Sequence, residues 1–540
     1  MDWVDLPPWW FQENDLKDPL KKTPDGRLLF YDYDIADIIG KHGSNLKVYF
    51  PEAIGEAIIY INTLFRKAME TQGYDSEKTV IPTYVTKTNH DAFVLRETVK
   101  SGMGIETSAP FDIEIIKALL DEWSITKDII IPHNGYKSYP YMLWIFQLIE
   151  MGFKNSITIF DDVEEAFRFQ TLLSRKWLAQ KEIKIWIRVA AKEDEDSNNG
   201  ISALWVWPNQ VLPLVKDMLL HQESHISNLC LTVLHSFLNL WIKVDESTKD
   251  HFRGLAQMYC DIYKLYQKNG KTPTIDTINI GGWMPVWWEI GESIDYYTII
   301  TNIVSSIKEV CEINGIPHPH IMTEFGTFTV WNSGIDIFNV AGVKDQGNGN
   351  QILMLDTSIE TRMIDIKLIK RKFPWYSILY DVDGNIVSNT GKQISTIIKW
   401  ASCDKDDAYP QSGTIQMPAI TTDIGDIKLI AWKTHPYANN LTGGNRSHAV
   451  LTHCQTEKPK EIIVTKQHPL WQALVIDPKI ETVRNEFVAK LLALGYRVDP
   501  NNKDIWNLST ASTMMQEASK PVRLRWKSDY AGIKKMHWVK

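Results

Sequence analysis

Five stretches of this 540-residue chain place a reactive group directly after a run of apolar, β-branched residues. Tyr84-Val85-Thr86-Lys87-Thr88 ends such a run on an amine. A lysine at a strand end suits Schiff-base chemistry with an aldehyde, and equally suits a solvated surface. Gly104-Ile105-Glu106-Thr107-Ser108 offers the Glu106 carboxylate, or merely a capping turn in which Ser108 starts a helix over Phe111–Leu120. Leu234-His235-Ser236 offers an imidazole: His235 is either a structural histidine beside apolar neighbours or a flat ring that stacks on a planar cofactor. Backbone N–H groups of the turn Ile280-Gly281-Gly282 can cradle a phosphate, although many such pairs are plain turns. Thr323-Glu324-Phe325-Gly326 offers a second carboxylate. Facing a pyridine nitrogen, Glu324 would keep it protonated and the ring an electron sink; the plainer role is a helix-capping acid.

Two further stretches lie downstream. Ser402-Cys403-Asp404-Lys405-Asp406-Asp407 sets a thiol among carboxylates, suited to a cationic substrate and a proton donor, or simply a solvated acidic loop. Tyr437 precedes Gly443-Gly444 and taken alone is a loop aromatic. Each signal is weak singly. Their order carries more: lysine, acid, histidine, glycine pair, Glu-x-Gly, Cys-Asp, then tyrosine before glycines.

These groups need a scaffold that brings strand ends together. From about residue 50 to 330 short apolar runs alternate with longer helical patterns. Thr79–Val85, Asp128–Ile131, Ser156–Phe160, Lys184–Val189, Leu229–Leu234, Thr277–Ile280 and His320–Glu324 read as strands, and Asp91–Ser101 and Pro140–Met151 as helices. Continuous apolar strands separated by helices mean a parallel sheet, and about eight such units have the size of a β/α (TIM-like) barrel, whose active residues sit at the C-terminal strand ends. Lys344–Gln351 is Gly/Asn-rich and polar, and reads as a loop or domain boundary. Beyond it, Ser377–Tyr380, Ile394–Trp400, Ile427–Trp432 and Glu461–Val464 read as strands of a mainly antiparallel β domain, with a final helix over Glu481–Leu494. The expected organisation is an N-terminal segment 1–49 packing with the β domain, an α/β barrel over 50–343, and a β domain over 344–540 with a basic end.

Composition narrows the partners. Hydrophobic residues are 44%, charged residues 23% and the formal net charge is −8, which argues for a soluble globular protein and against a general nucleic-acid binder. The five cysteines form no CxxC pair, so neither a zinc site nor a disulfide framework is signalled. Free thiols, with no apolar run of signal-peptide or membrane-spanning length, lead us to expect a cytoplasmic protein without a membrane partner.

At this point the sequence resembles the biosynthetic arginine decarboxylases, relatives of the ornithine and diaminopimelate decarboxylases. The resemblance runs from about Leu28 to Lys460. It is closest at Thr86–Leu120, at His133-Asn134-Gly135-Tyr136-Lys137, at Ile278–Gly282 and from Gly315 to Val330. It implies pyridoxal 5'-phosphate (PLP) held by Lys87 on an alanine-racemase-like barrel, the type III fold of PLP enzymes. Glu106 would lie near the Schiff base and His235 would stack on the ring. Gly281, Gly282 and Gly326 would offer backbone donors to the phosphate, with a hydroxyl from Tyr437, and Glu324 would pair with the pyridine nitrogen. Cys403 and Asp404 would reach in from a partner subunit, Cys403 near the reacting carbon and Asp404 toward the cationic end of the substrate. The implied protein is a homodimer or higher homo-oligomer with shared active sites. It would convert arginine to agmatine on a polyamine route toward spermidine, often with Mg2+, for which no ligand cluster is visible in the sequence.

The sequence departs from that pattern in places. Trp283 stands at the position of a third glycine, Asn198 or Asn199 at that of a basic residue, Leu240 after Asn239 at that of a small polar residue, Lys405 at that of a serine, and Asn445-Arg446 within the later glycines. Two alternatives therefore stay open: a decarboxylase of ornithine, lysine or another basic amino acid, for which Lys405 is the reason, and a non-catalytic regulatory paralogue, for which Trp283 is the reason.

Overall fold

The computed structural model describes residues 19–110, 112–174, 183–190, 206–220, 229–238, 246–282, 284–286, 294–347, 349–358, 363, 373–387, 392–400, 407–410, 413–421, 424–434, 436, 449–452, 463–466, 523–526 and 536–539. The chain divides into two compact units, one built on residues 54–287 and 292–330, the other on 17–53 and 331–540.

The chain enters through β1 (Leu20–Lys22), β2 (Leu28–Phe30), β3 (Tyr33–Asp34), α1 (Ile35–His42) and β4 (Leu46–Tyr49), and α2 (Pro51–Thr71) leads on to the first unit. Helix α1 starts where the Asp34 carboxylate accepts the Ala36 N–H at 2.8 Å, a side-chain cap for one of the orphan donors of a helix start.

The first unit alternates strand and helix: β5 (Val80–Val85), α3 (Ala92–Lys100), β6 (Gly104–Glu106), α4 (Asp112–Asp121), β7 (Ile130–His133), α5 (Tyr139–Glu150), β8 (Asn155–Phe160), α6 (Val163–Ser174), β9 (Ile183–Val189), α7 (Pro208–Leu220), β10 (Leu229–Ser236), α8 (Glu246–Lys268), β11 (Thr277–Asn279), α9 (Tyr296–Asn314), β12 (His320–Thr323) and α10 (Gly326–Val330). Parallel strands need long crossovers, and the helices supply them. The strand order is β6-β5-β12-β11-β10-β9-β8-β7, so the sheet curls into a barrel whose seam falls between β6 and β7. There Thr107 bridges His133, its N–H donating to Pro132 O at 2.8 Å and its carbonyl accepting the Asn134 N–H at 2.8 Å. The expected β/α barrel is thus present, nearly closed.

Ile157, Ile159, Trp186, Val233 and Met322 form one buried cluster, with Ile81 and Ile130 packed on it. Seven apolar side chains from six strands fill the space below the strand ends; each of the five buried ones contributes roughly 1.5–3 kcal/mol. Helix α9 shows how the sequence sets its limits. Asp295 accepts the Thr298 N–H at 2.9 Å at its start, and Gly315 ends it at φ +65°, a left-handed turn that glycine adopts without strain. The start of α4 is not capped by Ser108, the alternative the sequence offered. The Ser108 hydroxyl has no partner among the described residues. Instead the Asp112 carboxylate reaches back to the Ser108 N–H at 2.6 Å and the Ala109 N–H at 3.1 Å.

The second unit is a mainly antiparallel sheet. Its strands are β13 (Gly334–Asp345), β14 (Gln351–Leu355), β15 (Trp375–Asp381), β16 (Ile386–Val387), β17 (Gln393–Trp400), β18 (Ala408–Tyr409), β19 (Ile415–Pro418), β20 (Ile424–Trp432), β21 (Ala449–Thr452) and β22 (Ile463–Lys466), joined by β4; β23 (Arg523–Trp526) and β24 (Met536–Val539) form a separate hairpin. Only the β14–β17 and β4–β21 pairs of this sheet run parallel among the described residues. Apolar residues sort onto two faces: Ile335, Ile337 and Ile430 belong to one core, Phe338, Leu429 and Ala431 to another, as the period-2 alternation of a sheet covered on both sides requires. The Gly/Asn-rich stretch Lys344–Gln351 joins β13 to β14, and the boundary between the units falls at Val330–Trp331. Residues 481–494, expected as a final helix, lie outside the described residues.

Candidate active site

The reactive groups of the first unit collect at the C-terminal ends of its strands. Lys87 lies two residues past β5 and is exposed; Glu106 is the last residue of β6; His235 is the next-to-last of β10; Glu324 directly follows β12. Glu106, His235 and Glu324 are buried. The register explains how distant residues meet. His235 pairs with Arg188 of β9 on one side and with Asn279 of β11 on the other. Directly paired residues of parallel strands point to the same face, so Arg188, His235 and Asn279 form a row across the sheet.

Electrostatics tie the groups together. Burial raises the Glu324 carboxyl well above its ordinary range, and the neighbouring charge of Glu106 adds to this, while the Asn279 hydrogen bond, Arg188 and Lys87 oppose it. Burial likewise raises Glu106, opposed first by the Lys87 charge, then by the neighbouring Asn134 and Glu324 side chains and by Arg188. His235 is driven well below the usual imidazole range, first by burial and then by the charges of Arg188, Lys87 and Lys137. Its ring is therefore neutral, so the 3.7 Å contact between His235 Nε2 and Glu324 Oε2 is not an ion pair.

Glu106 Oε2 and both ring nitrogens of His235 are buried and have no hydrogen-bond partner among the described residues. Such atoms cost about 1–3 kcal/mol each when left unmet. An exposed amine, a neutral planar ring and two buried carboxyls form a donor and acceptor set that fits an aldehyde-bearing pyridinium ring. A cation beside Glu324 would also favour its ionised form, which burial alone disfavours.

The glycines mark where strand-end turns touch. A Cβ on Gly282 would stand 2.7 Å from the Glu324 carbonyl oxygen, and one on Gly326 would strike the Thr88 hydroxyl beside Lys87. Gly281 sits at φ +78°. Its N–H donates to Asn279 Oδ1 at 2.8 Å, and the Gly326 N–H donates to Glu324 O at 2.7 Å. Two of the three expected phosphate donors are thus already met by protein acceptors, which leaves the Gly282 N–H without an acceptor among the described residues.

A supporting layer surrounds this site. Lys137 is buried with its Nζ 3.3 Å from Glu165 Oε2 and 3.7 Å from Asp161 Oδ2. Burial outweighs that attraction and pushes the Glu165 carboxyl up to about 7, with the Asp161 charge adding to the rise. Across the seam, the Thr107 hydroxyl is 2.7 Å from His133 Nδ1 and 2.7 Å from the Tyr141 hydroxyl, and His133 Nε2 is 2.8 Å from the Ser156 hydroxyl.

Sequence reading gave no role to three residues of the site: Asn134, Arg188 and Asn279. Arg188 Nη1 donates to Asn134 Oδ1 at 3.4 Å. The available signals were a polar Asn279 inside an apolar strand and a charge on the inward phase of β9. Cys403, Asp404, Lys405, Tyr437 and Trp283, with the other departures from the family pattern, lie outside the described residues. Among the described residues no group of three or more His, Cys, Asp or Glu could hold a metal ion. Also among them, no helix is long and apolar enough to cross a membrane, and Cys230, Cys260 and Cys311 are free thiols.

No family model matches the chain. The biosynthetic arginine decarboxylase of Klebsiella pneumoniae (strain 342) is 26% identical over 313 residues, 55% of this chain and 46% of that protein. This chain is related to the biosynthetic arginine decarboxylases. It spans about half the length of the curated relatives it matches. The likeness in structure reaches further. The crystal structure of the biosynthetic arginine decarboxylase from Campylobacter jejuni superposes with a TM-score of 0.67 at 14% identity, covering 97% of this chain and 98% of that one. The diaminopimelate decarboxylase of M. jannaschii, in complex with L-lysine, gives 0.66 at 14% identity over 83% and 94%. A mutant of SrLDC in complex with PLP gives 0.55 at 14% identity over 75% and 90%. The type III fold of these decarboxylases is the fold of this chain.

Proposed function

We propose that this chain is a PLP-dependent decarboxylase that converts arginine to agmatine and carbon dioxide. The observation that carries the reading is the convergence of Lys87, Glu106, His235 and Glu324 on neighbouring strand ends, where three buried polar atoms of Glu106 and His235 have no partner among the described residues. Relatedness to proteins named biosynthetic arginine decarboxylase supports the choice of substrate.

Lys87 would hold the cofactor covalently, His235 would cover the ring face, Glu324 would face the pyridine nitrogen and Gly282 would donate to the phosphate. When bound, PLP supplies the electron sink that accepts the electron pair left by carbon dioxide. The remaining steps belong to the chain. Lys87 would lend the amine that the substrate amine replaces. Neutral His235 would present an uncharged face and take no proton. Glu324, in hydrogen bond with Asn279, would be ionised beside a cation and would keep a proton at the nitrogen facing it. Cys403 would return a proton to the reacting carbon and Asp404 would take the cationic end of the substrate. Both would come from a partner subunit in a cytoplasmic homo-oligomer.

A second reading exchanges arginine for another basic amino acid, because Lys405 sets a positive charge next to Asp404. Titration of the purified protein with PLP tests the cofactor. A lysine-bound absorption band should form and should be absent in Lys87→Ala; no band at saturating PLP sinks both readings. Carbon dioxide release from arginine, ornithine and lysine then chooses between them.

A further inference from the structure

We infer that Asn279 is a positioning residue that couples the phosphate-binding turn to the carboxylate facing the pyridine nitrogen. The inference rests on the PLP reading above and concerns how this chain prepares that site before the cofactor arrives. Asn279 ends β11 and is fully buried. Its Oδ1 accepts the Gly281 N–H at 2.8 Å, and its Nδ2 donates to Glu324 Oε1 at 2.7 Å. One planar amide therefore fixes two groups at once: the backbone of the Gly281-Gly282 turn, and the rotation of the Glu324 carboxyl.

The polarity of the second bond matters. An amide N–H can only donate, so Glu324 Oε1 must accept. The proton that burial would place on Glu324 is thereby kept off Oε1, and Oε2 is turned toward His235 Nε2, 3.7 Å away. The other charges acting on Glu324 are Glu106 from β6, Arg188 from β9 and Lys87 beyond β5. Backbone bonds brace the same turn: Glu324 N–H donates to Gly281 O at 3.0 Å and Ile280 N–H to Met322 O at 3.0 Å. A shift of Asn279 would thus move both ends of the cofactor site together.

Two variants separate the two bonds. Asn279→Asp keeps an oxygen for the Gly281 N–H but replaces the donor to Glu324 by a carboxyl, which can donate only while protonated. Asn279→Leu removes both bonds at similar volume. The assay is absorbance titration with PLP and with pyridoxal from pH 6 to 8; the ratio of the two affinities reports the phosphate contribution. Wild type should bind PLP with little pH dependence. Asn279→Asp should keep the PLP-to-pyridoxal ratio but lose affinity for both ligands as pH rises, by roughly tenfold. Asn279→Leu should lose affinity at every pH and, in addition, lower the ratio by roughly tenfold. Far-ultraviolet circular dichroism of the cofactor-free proteins checks that each variant folds. Intact wild-type binding, with an Asn279→Asp profile parallel to wild type or an unchanged ratio in Asn279→Leu, overturns the coupling alone. No wild-type binding overturns the PLP reading and the coupling with it.

Discussion

His235 Nε2 stands 3.7 Å from Glu324 Oε2 with both groups buried, yet the ring carries no charge. Burial dominates both shifts, lowering the imidazole and raising the carboxyl. In the proposed reading, both would be met by a ligand that lies flat on the ring and places a cation at the carboxyl. Arg188, which pairs with His235 across the sheet, adds the positive charge that opposes protonation of Glu106 and Glu324.

Arg188→Met should therefore push both carboxyls further up and weaken cofactor binding. Arg188 is one of the lesser influences on each carboxyl, so a loss of up to roughly tenfold in PLP affinity is expected. Absorbance titration at pH 7 measures it, and affinity equal to wild type would show that Arg188 is electrostatically idle.

Gly282→Ala drives a Cβ to 2.7 Å from the Glu324 carbonyl oxygen, a backbone atom that cannot swing aside. We expect the turn or Glu324 to move and PLP affinity to fall at least about tenfold. Gly342→Ala is the control: nothing lies within 4 Å of its added Cβ, and stability should stay within about 0.5 kcal/mol of wild type. Equal behaviour of the two variants would contradict the packing argument.

His133 lies at the barrel seam, and burial lowers it from 6.5 to about 3. Because the folded value is below the unfolded one, the unfolded chain takes up the proton first as pH falls. The stability contributed by neutral His133 is complete above the unfolded value of 6.5 and is lost as pH falls toward about 3. Between 6.5 and about pH 5 the loss is about 2 kcal/mol. The raised carboxyls Glu106, Glu165 and Glu324 work in the opposite sense, so total stability does not isolate His133. The difference between wild type and His133→Gln does. Urea unfolding of the cofactor-free proteins from pH 7 to pH 5 should show that difference shrinking by about 2 kcal/mol; a constant difference would count against a neutral His133.

Lys137→Met strands Glu165 and Asp161 without their buried cation. Breaking a buried pair from one side costs about 3–5 kcal/mol. Adding Glu165→Gln should recover part of that loss, since the raised carboxyl then disappears. Denaturant midpoints of the single and double variants decide this; a double variant less stable than Lys137→Met would show that Glu165 acts through some other contact.

Much of this was legible in the residue order. Continuous apolar runs separated by long helical patterns dictate parallel strands with crossovers, and chemistry at strand ends then follows from the architecture. Lys87, Glu106, His235 and Glu324 could be named because each directly follows or ends an apolar run. The sequence offered a Ser108 cap for α4 only as an alternative, and packing decides that Asp112 turns toward the free N–H groups instead.

Register belongs to the tertiary structure. A period of two tells which residues of a strand share a face, but not which residues of the next strand stand beside them. Hydrogen-bond pairing across β9, β10 and β11 sets Arg188, His235 and Asn279 in one row. That pairing depends on how the whole barrel closes, through crossovers that span tens of residues. The sequence by itself determined which chemical groups reach the mouth of the barrel. The closed sheet decided which of them touch: it gave Glu324 its amide partner, gave the Gly281 turn its anchor and left His235 buried with both nitrogens unmet among the described residues.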